Sequence, residues 1–524
     1  MERLKHISEL AAAGSMAEAV FRSASAFSPR NKALSFYGFT TSFSKLGMLT
    51  EKASRVFAGV NISRGDKVLI CLPNVPAAVV ALYALNLIGA VAVFVHPLSA
   101  EDELSYYIED SAAKLVVTMD MFASKFKTSK VPVVTNWNRF MRGPKVSTAI
   151  TADSRDVSRE IAVILYSGGT TGFPKGIQLT NANFNSLAEQ TFVSAACITR
   201  GEGVMLAVLP MFHGFGLGIC VHTALYFGMT VLLIPRFSVK AYIKAMKRSN
   251  YIAGVPTLFE SILKADTTRM DLSKLKGVFC GGDSLSGDLQ TRFDAFLEAN
   301  GAAARIREGY GLTECVTACC LTPKDGASDK QTAGHIGLPY PETLFRIVEP
   351  GTHKVLPNGA EGEITISGPT VMSGYLGKPE LSAETLKADG RGRIWLYTGD
   401  LGHIDDKGYV YFKQRLKRVI ISSGYNVYPS QLERVIGAVS AVEAVCVVGV
   451  PHEYKVSVPK AFVVLKQGSS EVIEEFNIRV ALERGVAKYA RPKDIVFLSE
   501  LPRTSVGKID YGKLENYPAF TAGT

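Results

Sequence analysis

Targeting segments and blocks of one charge are missing from this chain of 524 residues. The first ten residues (MERLKHISEL) contain no apolar core of a signal peptide, and the last six (AFTAGT) form no recognisable address. We therefore expect a cytoplasmic protein. Lysine and arginine form no dense block, although the net charge is +10. A nucleic acid, an anionic membrane surface and an anionic small molecule all stay open as partners.

Cysteine is scarce and is not arranged for metal binding. The eight cysteines are scattered, and Cys315, Cys319 and Cys320 form the only cluster. This cluster lacks the spacing of metal ligands and has no accompanying histidines. We interpret the cysteines as reduced, structural thiols, which are usual in a cytoplasm.

One apolar run, Val75–Leu98, is long enough to suggest a membrane span. Pro76 near its start, Asn86 inside it and Gly89 as a C-cap divide the run into a helix and a following strand. A strand pattern at Lys67–Leu72 precedes it. The sequence therefore predicts a buried strand–helix–strand unit and no transmembrane segment.

The overall composition is that of an ordinary globular protein, with 47% hydrophobic and 20% charged residues. The chain exceeds the roughly 250–300 residues at which a single core stops growing, so we expect at least two domains. Strand and helix patterns alternate repeatedly, which predicts an α/β fold with mostly parallel sheets. Further strands are predicted at Leu115–Thr118, Leu206–Pro210, Thr230–Ile234 and Ile252–Pro256.

A glycine-rich segment, Tyr166–Gly176 (YSGGTTGFPKG), follows the apolar strand pattern of Ile161–Tyr166. Glycines let backbone N–H groups approach a ligand, while the hydroxyls and the lysine add donors that suit a polyphosphate. The candidate phosphate-binding residues are Ser167, Gly168, Gly169, Thr170, Thr171, Gly172 and Lys175. The segment is not a Walker loop, because Pro174 precedes the lysine and Gly176–Leu179 resembles a second strand. We predict a loop between two strands, with a flexible linker as the alternative.

Two further segments carry groups that suit a nucleotide and a metal ion. In Glu308–Glu314 (EGYGLTE), Tyr310 could stack on a purine and Thr313 could donate to a phosphate. Glu314 could hold Mg²⁺, which prefers one or two carboxylates plus phosphate oxygens. Asp400 follows a strand in a Thr-Gly-Asp turn, where a carboxylate could accept two ribose hydroxyls. Taken alone, these segments also fit a tight turn and an Asx turn.

His213 lies in the segment MFHGFGLG, between aromatic and glycine residues. A lone histidine is usually structural, but the flanking glycines indicate a backbone packed tightly beside a cavity. Both interpretations stay open.

Further along, the charged segment Arg415–Arg418, followed by Gly424 and by Pro429 at a helix start, marks a domain boundary. Lys508 lies on a glycine-containing loop, where a lysine is normally a solvated charge.

Seven stretches, taken together and in this order, resemble the adenylate-forming superfamily of acyl-CoA synthetases, coumarate–CoA ligases, luciferases and peptide-synthetase adenylation domains. They are YSGGTTGFPKG, LPMFHGFG, GYGLTE, GEITISGP, YTGDLG, RLKRVIISSGYNVYPSQLE and PRTSVGKI. The resemblance extends from about residue 30 to residue 515. It implies a large multi-subdomain N-terminal domain with mostly parallel sheets (residues 1–414) and a small α+β C-terminal domain (residues 415–524), joined by a hinge with the active site between them.

The resemblance also implies roles for individual residues. On the ATP side it implies binding by the glycine-rich loop and by Gly281, Gly282, Asp283, Tyr310, Gly311, Asp400 and Arg415. It implies catalytic roles for Thr313, for Glu314 as the Mg²⁺ ligand, for His213 at the wall between the acyl pocket and the thiol tunnel, and for Lys508 as the adenylation lysine. It implies a hinge at Lys417 and a coenzyme A side at Ser423, Gly424 and Tyr425.

The chain departs from the superfamily pattern at a few positions. Gly168 stands where a serine is more usual, and Tyr511 stands where an arginine is frequent. Ile421 stands where coumarate ligases and luciferases carry a lysine. This last change weakens the case for a close relationship with those two groups.

The implied function is that of an ATP-dependent acid–thiol ligase, which forms an acyl-AMP with release of pyrophosphate and then passes the acyl group to coenzyme A. Phe212, Phe215 and Leu217 suggest an apolar acid pocket, so we favour a medium-to-long fatty acid over a coumarate-like aryl acid. A loading enzyme for a carrier-protein thiol and a non-catalytic ATP- or nucleic-acid-binding protein are the alternatives. The second is disfavoured because a binding protein has no need of Lys508, so we expect no nucleic-acid partner. The sequence makes no prediction of the oligomeric state.

Overall fold

The computed structural model describes residues 14–27, 30–146, 156–167, 174–265, 270–324, 334–422, 425–452, 456–486, 488–504 and 509–517. Its strands form two large, mostly parallel sheets, one antiparallel sheet and a fourth sheet near the C-terminus. Helices cover the faces of the large sheets. The predicted α/β fold, with a large N-terminal region and a smaller α+β unit after it, is confirmed.

The first large sheet has seven strands and contains the predicted strand–helix–strand unit. Its strand order is Gly374–Tyr375, Lys175–Thr180, Ile161–Ser167, Val91–Phe94, Lys67–Ile70, Leu115–Val117 and Val133–Val134. The last five of these are parallel, and the first two are antiparallel to their neighbours. Between Lys67–Ile70 and Val91–Phe94 runs the helix Pro76–Leu87, which begins with its proline and is buried on nearly all sides.

The second large sheet has nine strands, of which six central ones are parallel. Its order is Leu338–Pro339, Cys320–Leu321, Ile306–Tyr310, Gly277–Cys280, Tyr251–Gly254, Val204–Ala207, Thr230–Leu233, Lys32–Phe36 and Phe39–Ser42. The main hydrophobic core packs between this sheet, the seven-stranded sheet and the helices that separate them. Because the central strands are parallel, their carboxyl ends share one edge, and the segments that follow them meet there.

The helices alternate with these strands, as the sequence predicts. In chain order they are Met16–Phe27, Phe43–Gly59, Pro76–Leu87, Glu101–Ser111, Trp137–Phe140, Asn181–Ala195, Ala224–Tyr226, Val239–Met246, Pro256–Leu263, Gly287–Ala299, Pro379–Thr385, Pro429–Gly437, Glu471–Gly485 and Tyr511–Glu515. Short 3₁₀ turns lie at Asp120–Phe126, Thr313–Cys315, Leu416–Arg418 and Lys488–Ala490, and a π-helix at Phe215–Thr223. Within the part of the chain that the structure describes, no helix is both long and apolar enough to cross a membrane.

Several predicted strands end earlier than the sequence suggests. The strand predicted at Leu206–Pro210 ends at Ala207. The strand predicted at Ile252–Pro256 ends at Gly254, because Pro256 begins a helix instead. Proline has no N–H to offer a strand ladder but fits the first turn of a helix, where that N–H would be unpaired.

Two smaller sheets complete the chain. The antiparallel one has the order Leu344–Val348, Gly362–Ser367, Ile394–Ile404 and Leu386–Ala388, with Val410–Arg415 also paired to Ile394–Ile404. The C-terminal one has the order Tyr425–Val427, Ile420–Ser422, Val456–Leu465 and Val442–His452, with Asp494–Phe497 parallel to Val456–Leu465. Separate apolar clusters cover the two faces of the C-terminal sheet. Arg415 ends a strand of the preceding sheet, and the boundary at residues 414 and 415 stays a prediction.

The first described helix is completed by side chains from elsewhere in the chain. The N–H of Met16 donates to Asn181 Oδ1 at 2.9 Å, and the N–H of Ala17 donates to Asn86 Oδ1 at 2.9 Å. Asn86 in turn donates to Asn181 Oδ1 at 2.7 Å. The polar residue that interrupts the long apolar run is therefore buried and satisfied inside the protein.

Candidate active site

The glycine-rich segment joins two antiparallel strands, as predicted. Ile161–Ser167 pairs with Lys175–Thr180, and Ser167 lies opposite Lys175 at the end of the hairpin. The buried residues of the first strand come from the apolar run that predicts it. Ser167 and Lys175 are thus brought together. The other candidate phosphate-binding residues, Gly168, Gly169, Thr170, Thr171 and Gly172, lie outside the described residues.

Asp400 and Arg415 face each other on neighbouring strands. They are directly paired across Ile394–Ile404 and Val410–Arg415, and Arg415 Nε lies 3.5 Å from Asp400 Oδ1. The Tyr310 hydroxyl donates to Asp400 Oδ2 at 2.7 Å. Oδ1 accepts no hydrogen bond from any described residue, although the carboxylate is only 2% exposed. A buried acceptor without a donor can serve ligand hydroxyl groups.

Burial also changes the ionisation of Asp400. It raises the pKa of this carboxyl to about 6, although the nearby Arg415 guanidinium and the Tyr310 hydroxyl act in the opposite direction. Asp400 is therefore ionised at neutral pH and takes up a proton in mildly acidic solution.

Glu314 is held by a tyrosine that the sequence analysis does not single out. The Tyr375 hydroxyl donates to Glu314 Oε1 at 2.9 Å, and Lys175 Nζ lies 5.1 Å from the centre of the Tyr375 ring. No described residue donates to the second oxygen of Glu314. Tyr375 thus lies between the candidate phosphate-binding lysine and the candidate metal ligand. We call Asp400 and Glu314, with Tyr310 and Tyr375, the carboxylate side of the site.

The predicted adenine-side residues follow the carboxyl ends of two adjacent parallel strands. Gly281, Gly282 and Asp283 follow Gly277–Cys280, and Gly311 and Thr313 follow Ile306–Tyr310. Gly282 has a φ of +84°, which favours glycine. A Cβ at Gly311 would lie 2.0 Å from the carbonyl oxygen of Thr317, so this position admits no side chain.

Glu308, which also lies at this edge, accepts a hydrogen bond from the N–H of Leu285 at 2.9 Å. Burial raises the pKa of Glu308 to about 7. This carboxyl therefore titrates near neutrality, and it is a second acid beside the loop that follows Cys280.

His213 lies in a wall made by closely packed backbone. A Cβ at Gly216 would lie 2.2 Å from the carbonyl oxygen of Pro210, and one at Gly214 would meet the carbonyl of Val316. Val316 itself has a φ of 63°, a strained conformation for a β-branched residue. The prediction that glycines around His213 mark tight packing is confirmed. We call residues 210–218 together with Val316 the glycine wall.

Aromatic rings line this wall. The Phe212 ring lies 4.8 Å from the His213 ring and 4.3 Å from the His96 ring, measured between centroids. Phe215 packs against Gly281, since a Cβ there would lie 3.3 Å from the Phe215 ring. The N–H of Leu98 donates to Nδ1 of His96 at 2.8 Å, and burial lowers the pKa of His96. His96 is therefore a neutral aromatic side chain at neutral pH.

The predicted hinge lysine, Lys417, lies in the 3₁₀ turn Leu416–Arg418, directly after the strand that ends at Arg415. Arg418 donates to Glu433 at 2.6 Å and lies 4.4 Å above the Tyr511 ring. This contact gives a structural role to Tyr511, one of the departures from the superfamily pattern. Lys508, Ser423 and Gly424 lie outside the described residues, and Tyr425 begins a strand.

Comparison with known proteins agrees with this arrangement. The AMP-binding enzyme model matches residues 21–376, and the AMP-binding enzyme C-terminal domain model matches residues 431–508. The chain belongs to the AMP-binding enzyme family. It is 30% identical to a long-chain-fatty-acid–CoA ligase of Bacillus subtilis, over 92% of this chain and 90% of that protein.

Other members of the family are about as similar. A 2-succinylbenzoate–CoA ligase of Bacillus mycoides is 33% identical, over 86% of this chain and 88% of that protein. The structure is similar to that of O-succinylbenzoate coenzyme A synthetase from Bacillus subtilis in complex with ATP and a magnesium ion. The TM-score is 0.82 at 27% identity, over 95% of this chain and 98% of the other. The chain is thus an AMP-forming CoA ligase of the adenylate-forming superfamily, with a carboxylic acid, ATP and coenzyme A as substrates.

Two residues beside the candidate active site, Tyr375 and His96, are not predicted from the sequence. Tyr375 lies in a short strand and looks like a core residue, and His96 lies just after a buried strand. The one available signal was position, because both residues lie in or directly after strands of the sheet that carries the glycine-rich hairpin. Their partners are distant in sequence, 61 residues away for Tyr375 and Glu314.

The cysteine cluster directly follows Glu314 in the chain and belongs to one apolar cluster. Cys315 and Cys319 are buried, with their Sγ atoms 3.7 Å apart, and all eight cysteines are free thiols. Burial raises the pKa of Cys319 well above its usual value, which keeps this thiol protonated and unreactive. A packing role fits the interpretation of these residues as structural.

Proposed function

We propose that this ligase activates a medium-to-long fatty acid as an acyl-AMP and transfers the acyl group to coenzyme A. The observation that carries the proposal is the apolar character of the glycine wall where Phe215 packs against Gly281. Phe212 and Val316, two apolar side chains of the wall, pack in or against the main hydrophobic core. An acid with a second carboxylate would need a cation there. The similarity to a long-chain-fatty-acid–CoA ligase supports the same choice.

An aryl acid is the second candidate, and one observation favours it. The rings of His96, Phe212 and His213 lie side by side, with centroids 4.3 and 4.8 Å apart. Such a row could stack on a flat aromatic substrate.

The roles we propose on the nucleotide side follow from the contacts described above. Asp400 would accept the ribose hydroxyls, since its Oδ1 has no described donor and Arg415 keeps the carboxylate charged. Gly281, Gly282, Asp283, Tyr310 and Gly311 would surround the adenine, and Thr313 would contact the α-phosphate. Ser167 and Lys175, brought together at the hairpin end, would bind the pyrophosphate portion of ATP.

Glu314 fits the role of a magnesium ligand. One of its oxygens is oriented by Tyr375, and the other has no partner among the described residues. A carboxylate oriented in this way suits Mg²⁺, which takes one or two carboxylates together with phosphate oxygens. When bound, the ion would neutralise charge on the phosphates.

The first half-reaction needs the acid carboxylate to attack the α-phosphate, so that a P–O bond forms and pyrophosphate leaves. Thr313 would hold the α-phosphate in place, and Lys508 would offset the charge that develops there. In the second half-reaction the thiol of coenzyme A attacks the acyl carbonyl and AMP leaves. Because the same surface cannot serve both steps, we propose a rotation of the C-terminal domain about Lys417, which would bring Ser423, Gly424 and Tyr425 to the thiol side.

A panel of acids tests the proposed function. Pyrophosphate release is measured with ATP and each acid, with and without coenzyme A, using saturated acids of increasing length, cinnamate-type acids and succinylbenzoate. We expect the highest kcat/KM with a medium or long saturated acid and thioester formation only when coenzyme A is present. A preference for succinylbenzoate, or for an aryl acid over every saturated acid, would contradict the fatty-acid assignment.

Lys508→Ala tests the two-step scheme. We expect adenylation to fall by on the order of 10²–10³, because one preorganised charge contact is lost, while a chemically made acyl-adenylate is still converted to thioester. The matched control is Lys513→Ala, which removes an exposed lysine paired with Asp510 nearby. An equal loss in both half-reactions would remove Lys508 from its proposed role.

A further inference from the structure

Both described ends of the phosphate-binding hairpin are tied to the same helix, Glu101–Ser111. At the first end, the Tyr166 hydroxyl donates to Asp110 Oδ2 at 2.7 Å. At the second end, the Tyr106 hydroxyl donates to the carbonyl oxygen of Pro174 at 2.8 Å. Each anchored residue is the immediate neighbour of a candidate phosphate-binding residue, Ser167 or Lys175.

A lysine from a third segment joins these contacts. Lys378 Nζ donates to the Tyr106 hydroxyl at 3.2 Å and lies 3.5 Å from Asp110 Oδ1. Tyr106 can therefore give its single proton to Pro174 while its oxygen accepts from Lys378. Lys378 lies three residues after Tyr375, whose strand pairs with the second strand of the hairpin. We call Tyr106, Asp110, Tyr166 and Lys378 the Asp110 cluster.

The cluster is half-buried, and its Tyr166 and Lys378 keep their protons at neutral pH. The side chain of Asp110 is 16% exposed and that of Lys378 is 32% exposed. Burial, together with the hydrogen bond to Asp110, raises the pKa of Tyr166, so this hydroxyl remains a donor. Burial lowers the pKa of Lys378, but its contacts with Tyr106 and Asp110 outweigh that effect and raise it. The lysine thus stays charged.

The fold alone does not require these contacts. The register of the hairpin is already set by its backbone ladder, and the helix is already packed through Leu104 and Tyr107. Side-chain anchors at both ends reduce the conformations open to Ser167 and Lys175 before a ligand arrives. Less conformational entropy is then lost on binding.

We propose that the Asp110 cluster is a positioning device that holds Ser167 and Lys175 ready for the β- and γ-phosphates of ATP. The proposal rests on the phosphate-binding role that we propose for the hairpin. The cluster acts on the pyrophosphate portion, which ATP has and AMP lacks.

The test compares the binding of two nucleotides by calorimetry, ATP with Mg²⁺ and AMP, in the absence of an acid. We expect Asp110→Asn to weaken ATP binding about five- to tenfold, because the charged acceptor of contacts from Tyr106, Tyr166 and Lys378 is lost, and to leave AMP binding within about twofold. Tyr166→Phe and Lys378→Met should change ATP binding in the same direction by smaller factors. If Asp110→Asn does not fold, Lys378→Met decides, since it leaves Asp110 in place.

The matched control is Asp66→Asn. The side chain of Asp66 has a similar exposure, 13%, and pairs at 2.7 Å with Lys114. Lys114 lies just after the helix Glu101–Ser111. We expect this variant to bind both nucleotides as the wild type does. Equal weakening of ATP and AMP by Asp110→Asn would show a merely structural role, and unchanged binding of both would also overturn the proposal. The proposed ligase activity fails by a different result, the absence of pyrophosphate release with any acid, so the two failures can be told apart.

Discussion

The two sides of the candidate active site are built by different means. In the glycine wall, the shape comes from backbone packed against backbone, as where Gly214 meets Val316 and Gly216 meets Pro210. On the carboxylate side, Asp400 and Glu314 are each held by one tyrosine hydroxyl. A wall of this kind tolerates no added atom, whereas the hydrogen bonds can be removed one at a time. Changes to the wall should therefore act on folding, and changes to the carboxylate side should act on binding.

The largest effect is expected for Gly216→Ala. The new Cβ would lie 2.2 Å from the carbonyl oxygen of Pro210 and 2.4 Å from that of Leu209, and backbone atoms have no rotamer to escape the overlap. We expect a loss of about 3 kcal/mol or more in the free energy of unfolding, or an insoluble protein. Urea unfolding measures this loss.

Gly287→Ala is the control for that experiment. Gly287 is the first residue of the helix Gly287–Ala299, and a Cβ there meets nothing within 4 Å. This variant should be as stable as the wild type or slightly more stable, by up to about 1 kcal/mol. If Gly216→Ala unfolds at the same urea concentration as Gly287→Ala, the backbone around Gly216 can shift enough to admit a methyl group.

The next effect concerns the charge of Asp400. Its pKa is raised to about 6, so at pH 5 about one tenth of the protein retains the carboxylate, and nucleotide binding should fall about tenfold from pH 7.5 to pH 5. Asp400→Asn should bind nucleotide weakly at both pH values and lose this part of the pH dependence. Titrating AMP into both proteins at each pH checks the prediction, and the variant corrects for the titration of AMP itself.

Stability should change in the opposite direction to binding. The folded protein holds the Asp400 proton more tightly than the unfolded chain, whose usual aspartate pKa is 3.8. Stability from this group is therefore lost as the pH rises from about 4 to 6. Urea unfolding of the wild type minus that of Asp400→Asn across this range isolates the contribution. A difference that grows with pH would contradict the raised pKa.

A smaller effect is expected for Tyr375→Phe, which removes the donor to Glu314 and keeps the ring beside Lys175. We expect about 1 kcal/mol less stability and a higher Mg²⁺ concentration for half-maximal adenylation, since Glu314 is no longer oriented. Tyr397→Phe is the control, because it also removes one tyrosine hydroxyl and its hydrogen bond, in this case an exposed one to His353. An unchanged Mg²⁺ requirement in Tyr375→Phe would mean that Glu314 needs no orienting partner.

The smallest effect is expected away from both sides of the site. Lys264, at the end of the helix Pro256–Leu263, pairs with Glu443 of the C-terminal sheet at 2.8 Å, and both side chains are largely exposed. Exposed pairs contribute little, so Lys264→Ala should change the free energy of unfolding by less than about 0.5 kcal/mol. A loss above about 1 kcal/mol would show that this pair holds the C-terminal unit against the large region.

The sequence predicts the hairpin well because its signals are local. An apolar β-branched run, a cluster of glycines and a second apolar run stand next to each other in the chain, and the structure pairs Ile161–Ser167 with Lys175–Thr180. The sequence also predicts a strand before Asp400, but the turn expected at Asp400 is wrong, because the strand continues through it as Ile394–Ile404. The pairing of Asp400 with Arg415 was not predictable from local pattern, because it depends on the register of two strands.

The supporting contacts were out of reach for a physical reason. Tyr166 reaches Asp110 across 56 residues, and Tyr106 reaches Pro174 across 68 residues. A tyrosine in an apolar strand has the same pattern whether its hydroxyl meets water or a buried carboxylate. Only the packing of the helix Glu101–Ser111 beside the hairpin decides between them.

The helix Met16–Phe27 has a consequence for the order of events during synthesis. The N–H of Met16 has its partner 165 residues later, at Asn181, so the helix leaves the ribosome before its partner does. Domains of nascent chains fold as units, so we expect this first helix to dock only after residue 181 has emerged. A chain stalled before that point should remain open to protease within residues 16–27, and one stalled well beyond it should be protected. A helix made before its hydrogen-bond partner is thus secured only after that partner has left the ribosome.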